Sequence, residues 1–159
     1  ENRLDFALLE DSAMDAAMVW RPYYKHRLVI VAAPDSRYRG RELAFSEIAG
    51  EPFLLREKGA GVRDLFDYLM FLRNQKLESL WESASTTALV EAARAGFGLA
   101  VLPYLLVRRY LERGELTELR VEDFSLERTV HIVWQKDRTP EGPARRLMEI
   151  IEGFDHRVL

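Results

Sequence analysis

The stretch Ser83–Pro103, Ser-Ala-Ser-Thr-Thr-Ala-Leu-Val-Glu-Ala-Ala-Arg-Ala-Gly-Phe-Gly-Leu-Ala-Val-Leu-Pro, leaves the chain few ways to fold. Three hydroxyl residues, Ser85, Thr86 and Thr87, precede an alanine-rich run that stops at Gly96. Serine and threonine oxygens accept from the free N–H groups of a first helical turn, and glycine takes the left-handed conformation that closes a helix at little cost. The apolar run Leu99–Leu102 then predicts a short buried strand. Pro103 predicts the start of the next helix, because a first turn leaves the missing N–H unused anyway. This is the helix–strand half of an α/β unit. One cap needs one oxygen, and this turn carries three. The surplus either faces solvent or lines a small-ligand site, where the free N–H groups and the helix dipole favour an anion.

The remaining segments extend the pattern. Leu4–Leu9 reads as a buried strand that begins almost at the first residue, as if in the middle of a sheet. Glu10, Asp11 and Ser12 follow at its carboxyl end, the edge where open α/β sheets bind ligands; the plainer reading is a solvated loop. Ala13–Tyr24 predicts a loop with a weak strand at Met18–Trp20, and Arg27–Ala33 a strand ended by Pro34-Asp35-Ser36. Tyr38–Arg41 is a turn, Glu42–Ala49 one helical stretch and Pro52–Arg56 the next strand. Glu57–Arg63 carries Gly59 and Gly61, which allow either a tight turn alone or a nest of amides for an anion.

The helix from Val62 to Arg73 has almost no polar face: Val62, Leu65, Phe66, Tyr68, Leu69, Met70, Phe71 and Leu72 surround it. Such a helix is buried on all sides, by a partner or by its own chain's loops. A strand at Leu80–Glu82 leads into the opening stretch. After it come a helix to Arg113 stopped by Gly114, an edge strand Leu116–Val121, a loop Glu122–Leu126 and a strand Arg128–Lys136. In that strand Val130, Ile132 and Trp134 alternate with Thr129, His131, Val133 and Gln135. Thr139 caps a final helix with Pro140 in its first turn, and Ala144, Leu147, Met148, Ile151 and Phe154 fall on one face.

Strands alternating with helices imply a mostly parallel sheet covered on both faces. The long strands Arg27–Ala33 and Arg128–Lys136 bracket a complete α/β set. The expected plan is two lobes with a cleft between them, one built from 1–33 and 131–159 and the other from 34–130.

Composition removes several functions. There is no cysteine, so neither disulfides nor thiolate chemistry is available, which fits a cytoplasmic protein. A net charge of −3 gives no basic surface for nucleic acid, and no apolar run reaches membrane-spanning length. The polar opening Glu1-Asn2-Arg3-Leu4-Asp5 does not read as a secretory leader. His26, His131 and His156 stand singly without metal-ligand spacing, no Gly-x-Ser-x-Gly elbow is present, and no motif calls for a cofactor.

Five segments, in order, resemble landmarks of the LysR-type transcriptional regulators. Arg3–Glu10 is similar to that family's G-x-L-D-L-A-I-V-E strand, and Arg56–Arg63 to its R-E-P-G-S-G-T-R turn. The run from Ser85 to Pro103 resembles S-x-x-x-I-x-x-x-V-x-A-G-L-G-I-A-x-L-P; Gly114-Glu115-Leu116 and Trp134–Arg138 match later landmarks. The resemblance implies an effector-binding domain of the type 2 periplasmic-binding-protein fold. Two Rossmann-like lobes would be joined by two crossover strands, with the first lobe incomplete. It implies a small-molecule effector in the cleft, held by the hydroxyls of Ser85, Thr86 and Thr87, the Gly59-Ala60-Gly61 turn, Pro103 and Glu10. It implies a homodimer or homotetramer whose interface uses Val62, Phe66, Leu69, Met70, Phe71 and Arg73. DNA would be reached only through a winged helix-turn-helix preceding Glu1. Ala60 and Val62 stand where the family often has Ser and Thr, so that side of the cleft is expected to be more apolar. A solute-binding protein of a transport system and a dehydratase-type enzyme share this fold. The first needs a leader, and the second needs acid–base groups beside the hydroxyls, so a non-enzymatic sensor is the expected function.

Overall fold

The computed structural model describes residues 4–10, 15–75, 77, 79–122, 124 and 126–154. Asp11, Ser12 and His156 lie outside them. The chain divides into two compact units, Glu1–His26 with Glu127–Leu159, and Arg27–Leu126. The segment Arg27–Ala33, expected in the outer unit, belongs to the middle one, because its strand pairs there.

In the middle unit, the apolar run Leu28–Ala32 is the buried second half of β2 (Met18–Ala32). It pairs antiparallel with β6 (Leu99–Pro103), Leu28 opposite Pro103 and Val31 opposite Ala100. β6 runs parallel to β4 (Phe53–Arg56), and β4 parallel to β5 (Ser79–Ser83). Each of these three strands leads into a helix: α2 (Gly61–Leu72), α3 (Thr86–Arg94) and α4 (Tyr104–Glu112). β7 (Thr117–Val121) pairs antiparallel with β2 and parallel with the short β3 (Glu42–Leu43). β7 therefore has neighbours on both sides, where the sequence predicted an edge.

Side chains of β2 alternate between two cores, as the pleat requires. Leu28, Ile30 and Ala32 pack with Phe53, Phe66 and Met70 on the α2 side. Val29 and Val31 pack with Leu54, Leu89, Val90 and Val107 on the α3 and α4 side. Gly98 is required where β6 begins: a Cβ there would stand 2.3 Å from the Pro52 carbonyl oxygen. Gly96 closes α3 at φ +80°.

Three elements have bounds other than those expected. The helix expected over Glu42–Ala49 is reduced to α1 (Phe45–Ile48), because Leu43, fully buried, is taken into the sheet opposite Val121. β2 begins nine residues earlier than Arg27, although Arg21, Pro22 and Lys25 interrupt any apolar pattern; sheet pairing overrides propensity there. The last helix, α5 (Gly142–Glu152), starts beyond Thr139 and Pro140. Glu141 is its cap, and Pro143 occupies the first turn. A proline keeps the residue before it out of the right-handed helical region, and Gly142 has φ +54°.

In the outer unit, β1 (Ala7–Glu10) pairs antiparallel with β8 (Leu126–Gln135), which neighbours β2. Ile132, Trp134 and Met148 form its core, joined by Phe6, Val19, Tyr23 and Ile151. β1 is not the buried strand that was expected: Leu8 and Leu9 are 46% and 42% exposed, since β1 ends the sheet order with one strand neighbour among the described residues. Leu147 on α5 and Phe154, two residues past its end, also stay half-exposed while Met148 is buried. Among the described residues no helix is long and apolar enough to cross a membrane.

Candidate functional site

The three parallel strands β6, β4 and β5 lie side by side, so their carboxyl ends share one edge of the middle unit's sheet. In α/β sheets the residues after that edge are placed to meet a ligand. At β4 the turn after Arg56 is closed by the Ala60 N–H donating to the Glu57 carbonyl at 3.2 Å. Gly59 takes φ +87° there, a conformation that side chains disfavour. Ala60 caps α2 without a side-chain acceptor, and Gly61 is the first helical residue.

At β5 the three hydroxyls of the next turn take three roles. Ser85 caps α3, its Oγ accepting from the Ala88 N–H at 3.3 Å. Thr86 Oγ1 accepts from Arg56 Nη1 at 3.3 Å, which ties the β5 turn to the end of β4. Thr87 stands exposed. At β6, Pro103 is the residue from which α4 starts. Ser85, Thr86, Thr87, Pro103 and the Gly59–Gly61 turn thus belong to one sheet edge.

Glu10 belongs to the outer unit. Its Oε1 lies 3.2 Å from His26 Nε2 and its Oε2 lies 4.0 Å from Arg128 Nη1. The His26 imidazole beside it, and then the Arg128 charge, hold its carboxyl below the usual carboxylate range against partial burial. Tyr24 stacks on His26 with ring centroids 6.3 Å apart. His131 is buried, with Trp20 edge-on at 5.8 Å.

Two arginines that the sequence did not single out organise the edge. Arg56 presents Nε and Nη2 to the two Glu57 carboxylate oxygens at 2.8 and 3.0 Å. Arg63 is 6% exposed, and its guanidinium reaches Asp67 on α2 at 2.9 Å, Glu82 on β5 at 2.9 Å and the Arg56 carbonyl at 3.1 Å. It fastens helix, turn and strand together. Its sequence signal is an arginine set among large apolar residues of one helix, a place where a charge persists only if paired. Ser79 first, and Arg63 second, hold the Glu82 carboxyl below its ordinary range by hydrogen bonding.

The apolar helix is narrower as a partner surface than expected. Phe66 and Met70 are buried in the chain's own core, so neither can touch a partner. Val62 and Leu69 pack against the same core, and Arg73 is the carboxyl-terminal cap of α2. Of the expected interface residues only Phe71 is largely exposed, at 76%, with Tyr68 and Leu72 beside it in sequence and also exposed. The spacing of Arg63, Phe66 and Met70 sets the inward face, and the remaining apolar residues turn outward.

The model of the LysR substrate binding domain matches residues 1–155. Among curated relatives, the uncharacterized HTH-type transcriptional regulator YeiE of Escherichia coli K12 is 27% identical over 147 residues, 92% of this chain and 50% of that protein. The HTH-type transcriptional regulator CbbR of Sinorhizobium medicae is 30% identical over 155 residues, 90% of this chain and 49% of that protein. The chain spans about half the length of these relatives. Among solved structures, the CcmR regulatory domain of Synechocystis in complex with 2-PG superposes with a TM-score of 0.84 at 21% identity, covering 95% of this chain and 73% of that one. The effector-binding domain of QuiR in complex with shikimate gives 0.75 at 17%, covering 94% and 70%. The fold is the type 2 periplasmic-binding-protein-like α/β architecture of such regulatory domains. With all but its last four residues matched, the chain belongs to the LysR substrate-binding-domain family.

Proposed function

We propose that this chain is the effector-sensing region of a LysR-type transcription regulator, which binds a small anionic metabolite and passes that binding to a DNA-bound oligomer. The observation that carries the reading is the family match over residues 1–155. The sheet edge supports it chemically: hydroxyls, backbone amides and the Arg56 guanidinium lie in the turns that follow its strands, donor types suited to a carboxylate or phosphate. Solved relatives hold 2-PG and shikimate. Ser85, Thr86, Thr87, the Gly59-Ala60-Gly61 turn and Pro103 form the effector site. Glu10 is left out of it, since His26 and Arg128 already occupy its carboxylate.

The protein acts by binding, without catalysis, as a cytoplasmic homodimer or homotetramer. The donors at the edge serve recognition: the Ser85 oxygen caps a helix and the Thr86 oxygen takes a guanidinium N–H, neither arranged as an activated nucleophile. DNA is reached through a helix-turn-helix domain outside this chain, in keeping with the naming of its relatives. Titration calorimetry against a panel of small carboxylates and phosphates, including 2-PG and shikimate, tests the reading. A panel member should bind the wild-type chain, and Thr86→Ala and Thr87→Ala should each weaken it by about 1–3 kcal/mol through loss of a buried hydrogen bond. A chain that binds no member, or binds one equally well in both variants, contradicts it.

A further inference from the structure

One cation at the sheet edge already has an anion on it, and that anion is its own chain neighbour. Arg56 is 24% exposed in its side chain, and its Nη1 is directed to Thr86. Its Nε/Nη2 edge, the fork that matches a carboxylate or phosphate bidentately, is filled by Glu57. The two ends of this pair are unequally held. The Arg56 carbonyl is gripped by the buried Arg63, and the Arg56 guanidinium by Thr86. Glu57 is 42% exposed and sits in the turn before Gly59, where besides Arg56 only its own backbone N–H holds the carboxylate, so the carboxylate can turn into water without disturbing strand or core. An exposed ion pair of this kind is weak, so its exchange for another anion costs little.

We propose that Arg56 selects the effector as an anion and that Glu57 is a built-in competitor for the same guanidinium edge. A carboxylate or phosphate group binds by displacing the Glu57 carboxylate from Nε and Nη2. Thr86, which accepts from Nη1, keeps its own hydroxyl proton to donate to the incoming oxygen. A neutral analogue cannot replace the charge that leaves, so the exchange discriminates anions from their uncharged isosteres. This inference rests on the effector-sensing reading above.

The test titrates the 159-residue chain with sodium phosphate at constant ionic strength, in wild-type, Glu57→Gln, Arg56→Gln and Arg56→Lys forms. Amide NMR shifts of Gly59 and Thr86 report binding, and spectral dispersion reports folding. Glu57→Gln should bind phosphate about fivefold more tightly than wild type, the worth of one exposed competing pair. Arg56→Gln should abolish the response, and Arg56→Lys should retain only part of it, because the ammonium lacks the fork. Glu57→Gln binding no more tightly than wild type, including no binding by either, overturns the proposal. So does an unchanged response in a folded Arg56→Gln. If Arg56→Gln fails to fold, the Glu57→Gln comparison decides alone. A panel metabolite that binds wild type and folded Arg56→Gln alike overturns the role of Arg56 and leaves effector sensing standing. A wild-type chain that binds no panel metabolite fails the sensing reading itself.

Discussion

Arg63 holds three parts of the middle unit together. Its guanidinium joins α2, β5 and the carbonyl at the end of β4, and it is nearly sealed from water while Asp67 and Glu82 stay partly solvated. Truncation removes the long aliphatic stem from a packed site and leaves the Arg56 carbonyl without this donor. Arg63→Ala should therefore lower unfolding stability by about 2 kcal/mol in urea, a value kept below that of a buried pair because both carboxylates reach solvent. At the other unit, the lowered pKa of Glu10 fixes the sign of a pH effect. A carboxyl whose folded pKa is depressed contributes stability that is complete above its unfolded value and fades as pH falls through the folded one. The stability gap between wild type and Glu10→Gln should thus be present at neutral pH and close as pH drops below the ordinary carboxylate value of 4.5. A gap unchanged across that range would remove the role of the His26 contact. The hydroxyls Ser85–Thr87 were legible in the sequence as a surplus over what one cap needs. The Arg56–Thr86 contact was not, because it joins residues 30 apart through the pairing of β4 with β5.

At the level of elements, local chemistry was readable wherever it sufficed. The stop of α3 at Gly96, the start of α4 after Pro103 and the turn at Gly59 all follow from backbone preferences of single residues. It failed where a partner strand decides. β2 continues through Arg21, Pro22 and Lys25 because β8 lies beside it, and Leu43 leaves a helical pattern to pair with β7. The apolar circumference of α2 was also readable, but not which half faces inward. Phe66 and Met70 go to the core, and Phe71 remains outside. Phe71→Glu should then cost less than about 0.5 kcal/mol of chain stability, as surface changes do. In the full-length protein it should shift sedimentation toward smaller assemblies, through a charge placed in an apolar interface. Unchanged assembly size would show that this face of α2 is not used between subunits.

For the whole molecule, the alternation of strands and helices was enough to read an α/β architecture with two units. The boundaries were less accessible. The chain leaves the outer unit after His26, midway along β2, and returns at Glu127, one residue into β8. Strand continuity hides that passage from a sequence, since Arg27–Ala33 looks the same whichever core receives it. In the proposed mode of sensing, a small anion is read at the carboxyl edge of β6, β4 and β5. The most direct measurement maps amide shifts on the NMR spectrum of this chain as an effector from the metabolite panel is titrated in. The largest shifts should fall on Gly59–Gly61, Ser85–Thr87 and Tyr104, the residue after Pro103. Shifts concentrated instead around Trp134 and α5, with that edge unmoved, would contradict it.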